Sequence, residues 1–318
     1  MTSNRPTGVP APPHPHQRRE PLPEHRPKPA EDDPNAPQSV EAILASASYR
    51  LAEQDTDFLA RAEVRGPRLE LEYLKADVVL AEQHVDHTIV VFGSTRIVEL
   101  STARRNVDAL REAVQADPDN TTLLARLLTA ERILDKSRYY DVAREFGRLV
   151  GQAGHDGRPA RIVVMTGGGP GLMEAANRGA RDVDAKTVGL NIELPHEQYP
   201  NPYVTPDLCL RFHYFALRKL HFMLRARALV AFPGGYGTFD ELFEVLTLIQ
   251  TRKVKPFPVV LVGEHFWRRA VDFDYLVEEG VIDAEDRELF WFAETAQEIW
   301  DGILRWYAAF GEPLHAAD

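Results

Sequence analysis

The chain of 318 residues has a single cysteine, Cys209. No intrachain disulfide can form, which suits a reducing compartment. No apolar run approaches the roughly 18 residues of a membrane-spanning helix. The first residues lack the apolar core of a secretory signal, and no hydrophobic segment follows the Arg18-Arg19 pair. These absences predict a cytoplasmic protein with no membrane partner. Positive charge is also short: 37 Lys and Arg face 48 Asp and Glu, for a net charge of -11. A surface that tracks a nucleic acid backbone is normally basic, so no nucleic acid partner is expected. Gly-Lys-Ser/Thr of a Walker A loop and the G-x-S-x-G elbow are both missing. His84 and His87 lack acidic or cysteine partners in a ligand pattern, which argues against a metal site.

Hydrophobic residues make up 44% of the chain. A domain near this size buries about 75% of its unfolded surface. Residues 1–37 hold 11 of the 23 prolines and almost no large apolar residues. That segment has too little to bury to offset its ordering entropy and is expected to stay disordered, as a solvated extension rather than a docking tail. Residues 38–318 are expected to form one domain, with 38–84 as a helical extension. Within it, "SVEAILASASYRLAEQDTDFLARA" has helical apolar spacing with Ser39 as N-cap, and "RLELEYLKADVVLAEQHV" reads as a second helix.

From His87 onward short apolar strands alternate with helices. "HTIVVFGS", "RIVVMTGGGPG", "KTVGLNIELP", "DLCLRFH", "ALVAFPGG", "FPVVLVG" and "LFWFAET" are the strands. Helical stretches near 101–116 and 120–150, "LMEAANRGARD", "YFALRKLHFMLRAR", "FDELFEVLTLIQT" and "AQEIWDGILRWYAAF" lie between and after them. This alternation predicts an α/β fold, a Rossmann-like parallel sheet with helices on both faces.

Ligands of such sheets bind outside the carboxyl ends of the strands. Three glycine or polar turns fall there: "FGSTR" (92–96), "TGGGPG" (166–171) and "PGGYGT" (233–238). Glycine allows close backbone approach, and the following helix start offers free N–H groups and a partial positive charge, a combination suited to phosphate. A helix from about Tyr214 to Arg227 followed by a strand of similar length returns Arg218 to the same edge, beside Glu241.

Several of these signals have a second reading. Thr238 and Glu241 also spell a capping box, which needs no ligand. "GGGPG" is a tight turn, a phosphate loop or, with Glu193 downstream, a dinucleotide turn that lacks its third glycine. Glu174 stands in a first helical turn, where the dipole favours any acid. His221 and Arg225 read as a solvated face, and Cys209 as a strand residue that is buried rather than nucleophilic.

"GGGPGLMEAANRGA", "FALRK" and "PGGYGTFDE", in that order, resemble the LOG family of cytokinin riboside 5′-monophosphate phosphoribohydrolases, once labelled lysine decarboxylases. The resemblance covers roughly residues 85–305. Phe215 stands where the family often has methionine, and the helices before residue 85 match its longer form. The resemblance implies a Rossmann-like fold, hydrolysis of a nucleoside monophosphate to free base and ribose 5-phosphate, and a homodimer or larger homo-oligomer. It also implies no metal or redox cofactor. It assigns the catalytic pair to Arg218 and Glu241. The expected substrate contacts are Ser94, Arg96, Gly168, Gly169, Gly171, Glu174, Lys219, Gly234, Gly235, Gly237 and Thr238. A non-catalytic nucleotide carrier is the alternative. Lysine decarboxylation has no support, because nothing marks a pyridoxal phosphate site.

Overall fold

The computed structural model describes residues 11–20, 22, 26–153, 162–195, 199–311 and 314. These divide into two compact units, Met1–Arg68 and Leu69–Asp318. Of the tail expected to be disordered, residues 1–10, 21 and 23–25 lie outside the described residues. The rest, up to residue 35, carries only turns and bends.

The first unit holds α1 (Ala36–Ala45) and α2 (Thr56–Leu59), separated by single 3-10 turns. The one long helix predicted here is broken. Ser46 takes an extended conformation and its hydroxyl accepts the Ser48 N–H at 3.3 Å. Asp55 then caps α2 by accepting the Phe58 N–H at 3.1 Å. Such short polar side chains compete with the helical ladder for backbone groups. Ser39 lies inside α1, which starts earlier, with Pro37 in its first turn where the missing N–H is harmless.

The helix α3 (Arg65–Glu82) leads to β1 (His87–Phe92), α4 (Leu100–Ala116), α5 (Thr121–Lys136), α6 (Arg138–Ala153), β2 (Ile162–Thr166), α7 (Leu172–Arg181), β3 (Thr187–Ile192) and β4 (Cys209–Phe212). Then come α8 (Phe215–Leu224), β5 (Ala226–Ala231), α9 (Tyr236–Gln250), β6 (Val259–Val262), α10 (Glu264–Ala270), α11 (Phe273–Glu278), β7 (Trp291–Ala293) and α12 (Ala296–Phe310). The stretch read as one helix over 120–150 is two. The Ser137 N–H bonds to Leu134 and its hydroxyl to the Ile133 carbonyl, which closes α5. The break lets α5 pack on α4 while α6 packs on α7 and β2. Among the described residues no helix is long and apolar enough to cross a membrane.

All seven strands are parallel, in the order β4-β3-β2-β1-β5-β6-β7. This is a Rossmann-like sheet with helices on both faces. Alternate residues of β1 enter different cores: Ile89 and Val91 face α6, α7 and α12, while Val90 and Phe92 face α3, α8 and α9. Both faces are therefore buried, which is why the strands read as unbroken apolar runs. The chain builds outward from β1 to β4, then crosses to β5 on the other side of β1. Between β1 and β5 the sheet reverses its order, and that is where a crevice opens in such folds.

The helix before β5 is shorter than predicted, ending at Leu224, and the strand starts earlier, at Ala226. Arg218 still returns to the carboxyl edge. The face expected to be solvated is covered. His221 is 0% exposed, with its ring 5.1 Å from Tyr73 and 5.6 Å from Phe212. Burial, then the nearby Arg225, pushes its pKa down. Arg225 is paired with Asp77 at 2.7 Å. The cause is α3, which lies along α8 and displaces water from that face.

Trp267 joins the two strands beyond the crevice. Its indole is fully buried, and Nε1 donates to Ala231 at 3.2 Å and Val262 at 3.1 Å, at the ends of β5 and β6. Replacing a buried Trp by Ala costs roughly 3–5 kcal/mol. Trp267→Ala is expected to lower stability by that amount in denaturant titration.

Candidate active site

Hydrogen bonds between loops build the crevice. The Phe232 N–H donates to Phe92 at 2.9 Å and the Ser94 N–H to Pro233 at 3.0 Å, which joins the turns after β1 and β5. The Leu172 N–H donates to Ser94 at 3.1 Å and brings in the start of α7. A cavity of about 590 Å³ lies at this junction. Of the predicted residues, Ser94, Arg96, Arg218, Gly234, Gly235, Gly237, Thr238 and Glu241 line it. Lys136, Met173, Phe215, Tyr236, Asp240 and Phe266 line it as well. Lys136 comes from the end of α5, and its helical spacing carried no sign of this role.

The α9 helix begins at Tyr236, two residues before the predicted cap. Gly235 is the N-cap and makes no side-chain bond. Thr238 and Glu241 are therefore the third and sixth helical residues and do not form a capping box. Thr238 instead lies against Gly234, where any Cβ would collide with its hydroxyl. A Cβ on Gly235 or Gly237 would have no packing neighbour within 4 Å among the described residues. Packing within the chain thus explains Gly234 but not the other two. Bare backbone at Gly235 and Gly237 leaves room for a ligand. The N–H groups of Tyr236 and Gly237 lack intrahelical acceptors by position, and the helix start favours an anion.

Arg218 and Glu241 meet on the cavity wall, Nη1 to Oε1 at 3.7 Å, with side chains only 12% and 8% exposed. The Arg218 Nε donates to the Leu190 carbonyl at 2.7 Å, and the guanidinium lies over the Phe222 ring. Burial pushes the pKa of Arg218 down against the pull of Glu241, yet a guanidinium stays protonated. Burial raises the Glu241 carboxyl to about 7, against the lowering effect of Arg218 and Lys219 and with help from Glu244 and Asp240.

The glycines at 167–171 stand behind this pair. The Arg218 guanidinium rests against Gly167, where a Cβ would meet it; Gly167 was not singled out in the sequence. Gly168 has φ +70 and Gly171 φ +75, backbone that L side chains rarely adopt, and a Cβ on them would strike Asn191 and the Ser94 carbonyl respectively. The Gly168 and Gly169 carbonyls accept from Asn201, through its N–H at 2.8 Å and its Nδ2 at 3.0 Å. Asn201 also donates to Asn177 at 2.9 Å, and Thr166 joins Asn177 at 2.7 Å. Asn177 in turn donates to Thr187. This buried network fixes the loop, and Gly168, Gly169 and Gly171 are buried in it. Glu174 accepts from the Tyr140 hydroxyl at 2.9 Å. Lys219 is held by Asp240 at 2.9 Å and Glu244 at 3.0 Å. None of these five lines the cavity. Cys209 is half-buried at the start of β4, and burial raises its thiol pKa. Among the described residues no group of three or more His, Cys, Asp or Glu is arranged to hold a metal ion.

A family described as "Possible lysine decarboxylase" matches residues 173–303, a span that includes both Arg218 and Glu241. The cytokinin riboside 5′-monophosphate phosphoribohydrolase LOG3 of Arabidopsis thaliana is 30% identical over 168 residues, 52% of this chain and 74% of the relative. The chain belongs to the LOG family. The rice LOG enzyme is 30% identical over 167 residues, and the match spans 52% of this chain and 65% of that LOG family relative. The solved molybdenum cofactor carrier protein of Chlamydomonas reinhardtii aligns over 54% of this chain and 89% of its own, at 21% identity and a TM-score of 0.35.

Two outcomes test the site. Gly237→Ala adds a methyl in open space within a helical turn, so thermal melting is expected to stay level or rise slightly, while affinity for inorganic phosphate, the probe of an anion site at this helix start, is expected to fall in calorimetry. The stability of the chain also depends on Glu241. Its folded pKa lies above the ordinary carboxylate value, so the native state holds this proton more tightly. Its contribution is complete below about pH 4.5 and is lost as pH rises through about 7. Glu241→Gln is expected to remove that decline from the curve of stability against pH.

Proposed function

We propose that the chain hydrolyses the N-glycosidic bond of a nucleoside 5′-monophosphate, a cytokinin riboside monophosphate or an AMP-like nucleotide, to free base and ribose 5-phosphate. The observation that carries this reading is the placement of one helix start. Bare glycine backbone at Gly235 and Gly237 and the buried carboxylate of Glu241 lie on the same helix and line the same cavity. The LOG relatives, named as cytokinin riboside 5′-monophosphate phosphoribohydrolases, support it.

The chemistry follows from the parts. The 5′-phosphate sits at the start of α9, where N–H groups and the helix dipole favour an anion. Arg96 and Lys136 add positive charge on the same cavity wall. Breaking the bond from C1′ to the base nitrogen leaves an oxocarbenium-like sugar, which a carboxylate stabilises. Water adds its oxygen to C1′. Glu241 takes the water proton, and the departing base nitrogen receives it. Arg218 stays charged, so it donates no proton. It holds Glu241 in register and, by attraction, keeps its pKa below the value that burial alone would set.

Glu241 works as the carboxylate. On this reading kcat/KM rises about tenfold per pH unit below the Glu241 pKa of about 7 and levels above it. Glu241→Gln is expected to cost several orders of magnitude in turnover with the fold intact. The direct test supplies AMP, GMP, CMP, UMP and isopentenyladenosine monophosphate, with the matching nucleosides, and follows free base by chromatography. Base from monophosphates but not from nucleosides is expected. No base from any of them would overturn the proposal.

A further inference from the structure

We propose that Glu72 is a positioning residue for this reaction: from α3 it caps the start of α8 and so sets where Arg218 stands. The inference rests on the role given to Arg218 above.

The N-cap residue of α8, Tyr214, does not cap the helix with its own side chain. Glu72 supplies one from another helix. Its two carboxylate oxygens accept the N–H of His213 at 3.0 Å and of Tyr214 at 2.9 Å. The Tyr214 carbonyl accepts the N–H of Arg218 at 3.2 Å, the first turn of the helix. Two hydrogen bonds thus separate the Glu72 carboxylate from the backbone that carries the guanidinium. A carboxylate at a helix N-terminus is also favoured by the dipole. Glu193 takes the His213 ring at 2.9 Å and Arg211 at 3.3 Å, which leaves the His213 backbone N–H to Glu72.

The same helix holds α8 at two further points. Tyr73 packs on His221 in the middle, and Asp77 pairs with Arg225 at the far end. Of these three contacts from α3, the Glu72 one acts on the turn that contains Arg218. The stretch matched by the family begins at Met173, so Glu72 lies outside it.

The test compares full-length Glu72→Ala and Glu72→Gln with Asp77→Ala, which releases the far end of α8. Two quantities are read: kcat and KM for the best nucleoside monophosphate, and the titration midpoint of the Glu241 carboxyl by NMR of ¹³C-labelled glutamate. Arg218 and Lys219 from α8 face this carboxyl, with Asp240 and Glu244 from its own helix. Glu72→Ala is expected to lower kcat about 10- to 100-fold, the scale of a misplaced catalytic group, with a smaller change in KM. The Glu241 midpoint should move upward as Arg218 withdraws. Glu72→Gln keeps one acceptor and falls between; it also carries both readouts if the alanine variant does not fold. Asp77→Ala should lose stability but keep the wild-type kcat and midpoint. A wild-type midpoint and kcat in Glu72→Ala would overturn the inference, as would an equal shift in Asp77→Ala. If the wild-type chain releases no base, the proposed reaction fails, and the midpoint alone still decides the role of Glu72.

Discussion

The structure turns on one pair of charges removed from water. Arg218 and Glu241 are almost fully buried yet stand 3.7 Å apart, without a close bidentate bond. Two charges in such a place must offset the loss of hydration by mutual attraction and by bonds to other groups. Here the attraction falls short, because Glu241 is left near 7 rather than in the ordinary carboxylate range. Burial outweighs the pull of both Arg218 and Lys219. The result is a carboxyl group poised to take and release a proton near neutrality, the range in which a general base works well.

Such a pair destabilises the fold around it and needs a rigid support. Each side of the crevice provides one. Arg218 is fixed by the Leu190 carbonyl of β3 and backed by Gly167, whose loop is held by the bonds of Asn177 and Asn201. Glu241 rides on α9, whose first turn is set by Thr238 closing over Gly234. The turns after β1 and β5 are bonded to each other, so the reversal of strand order brings the two halves to one place. Most of the polar groups involved are buried and partnered, as a preorganised site requires.

Much of this was legible in the sequence. The parallel sheet followed from seven apolar runs separated by helices, and the three turns that bond together were marked by glycine and serine directly after strands. Boundaries were less legible. The α9 helix starts at Tyr236 because Gly235 turns the chain; the Thr-x-x-Glu spacing placed the cap three residues too late, because the same spacing occurs inside a helix. His221 and Arg225 read as a solvated stripe, since nothing in α8 itself reveals that α3 covers it. Tertiary contact decides such faces, and local periodicity does not. Gly168 and Gly171 were legible as special, but their neighbours were not: both hold backbone at positive φ and pack against Asn191 and Ser94 respectively, which no local pattern encodes.

The remaining glycines separate support from function. Gly234 and Gly167 are required by neighbours within the chain, Thr238 and Arg218. Gly235 and Gly237 have no such neighbour among the described residues, and their φ values are not in the left-handed region. A glycine in a helical turn costs about 0.5–1 kcal/mol against alanine. A chain that keeps Gly237 there gives up that stability with no gain in its own packing. The room it leaves is on the wall of a cavity that also holds Glu241. Phosphate at that helix start and a sugar reaching toward the carboxylate would occupy this space. The stability forgone at Gly237 and the stability lost by burying Glu241 therefore fall within two turns of one helix, where a reaction centre would need both.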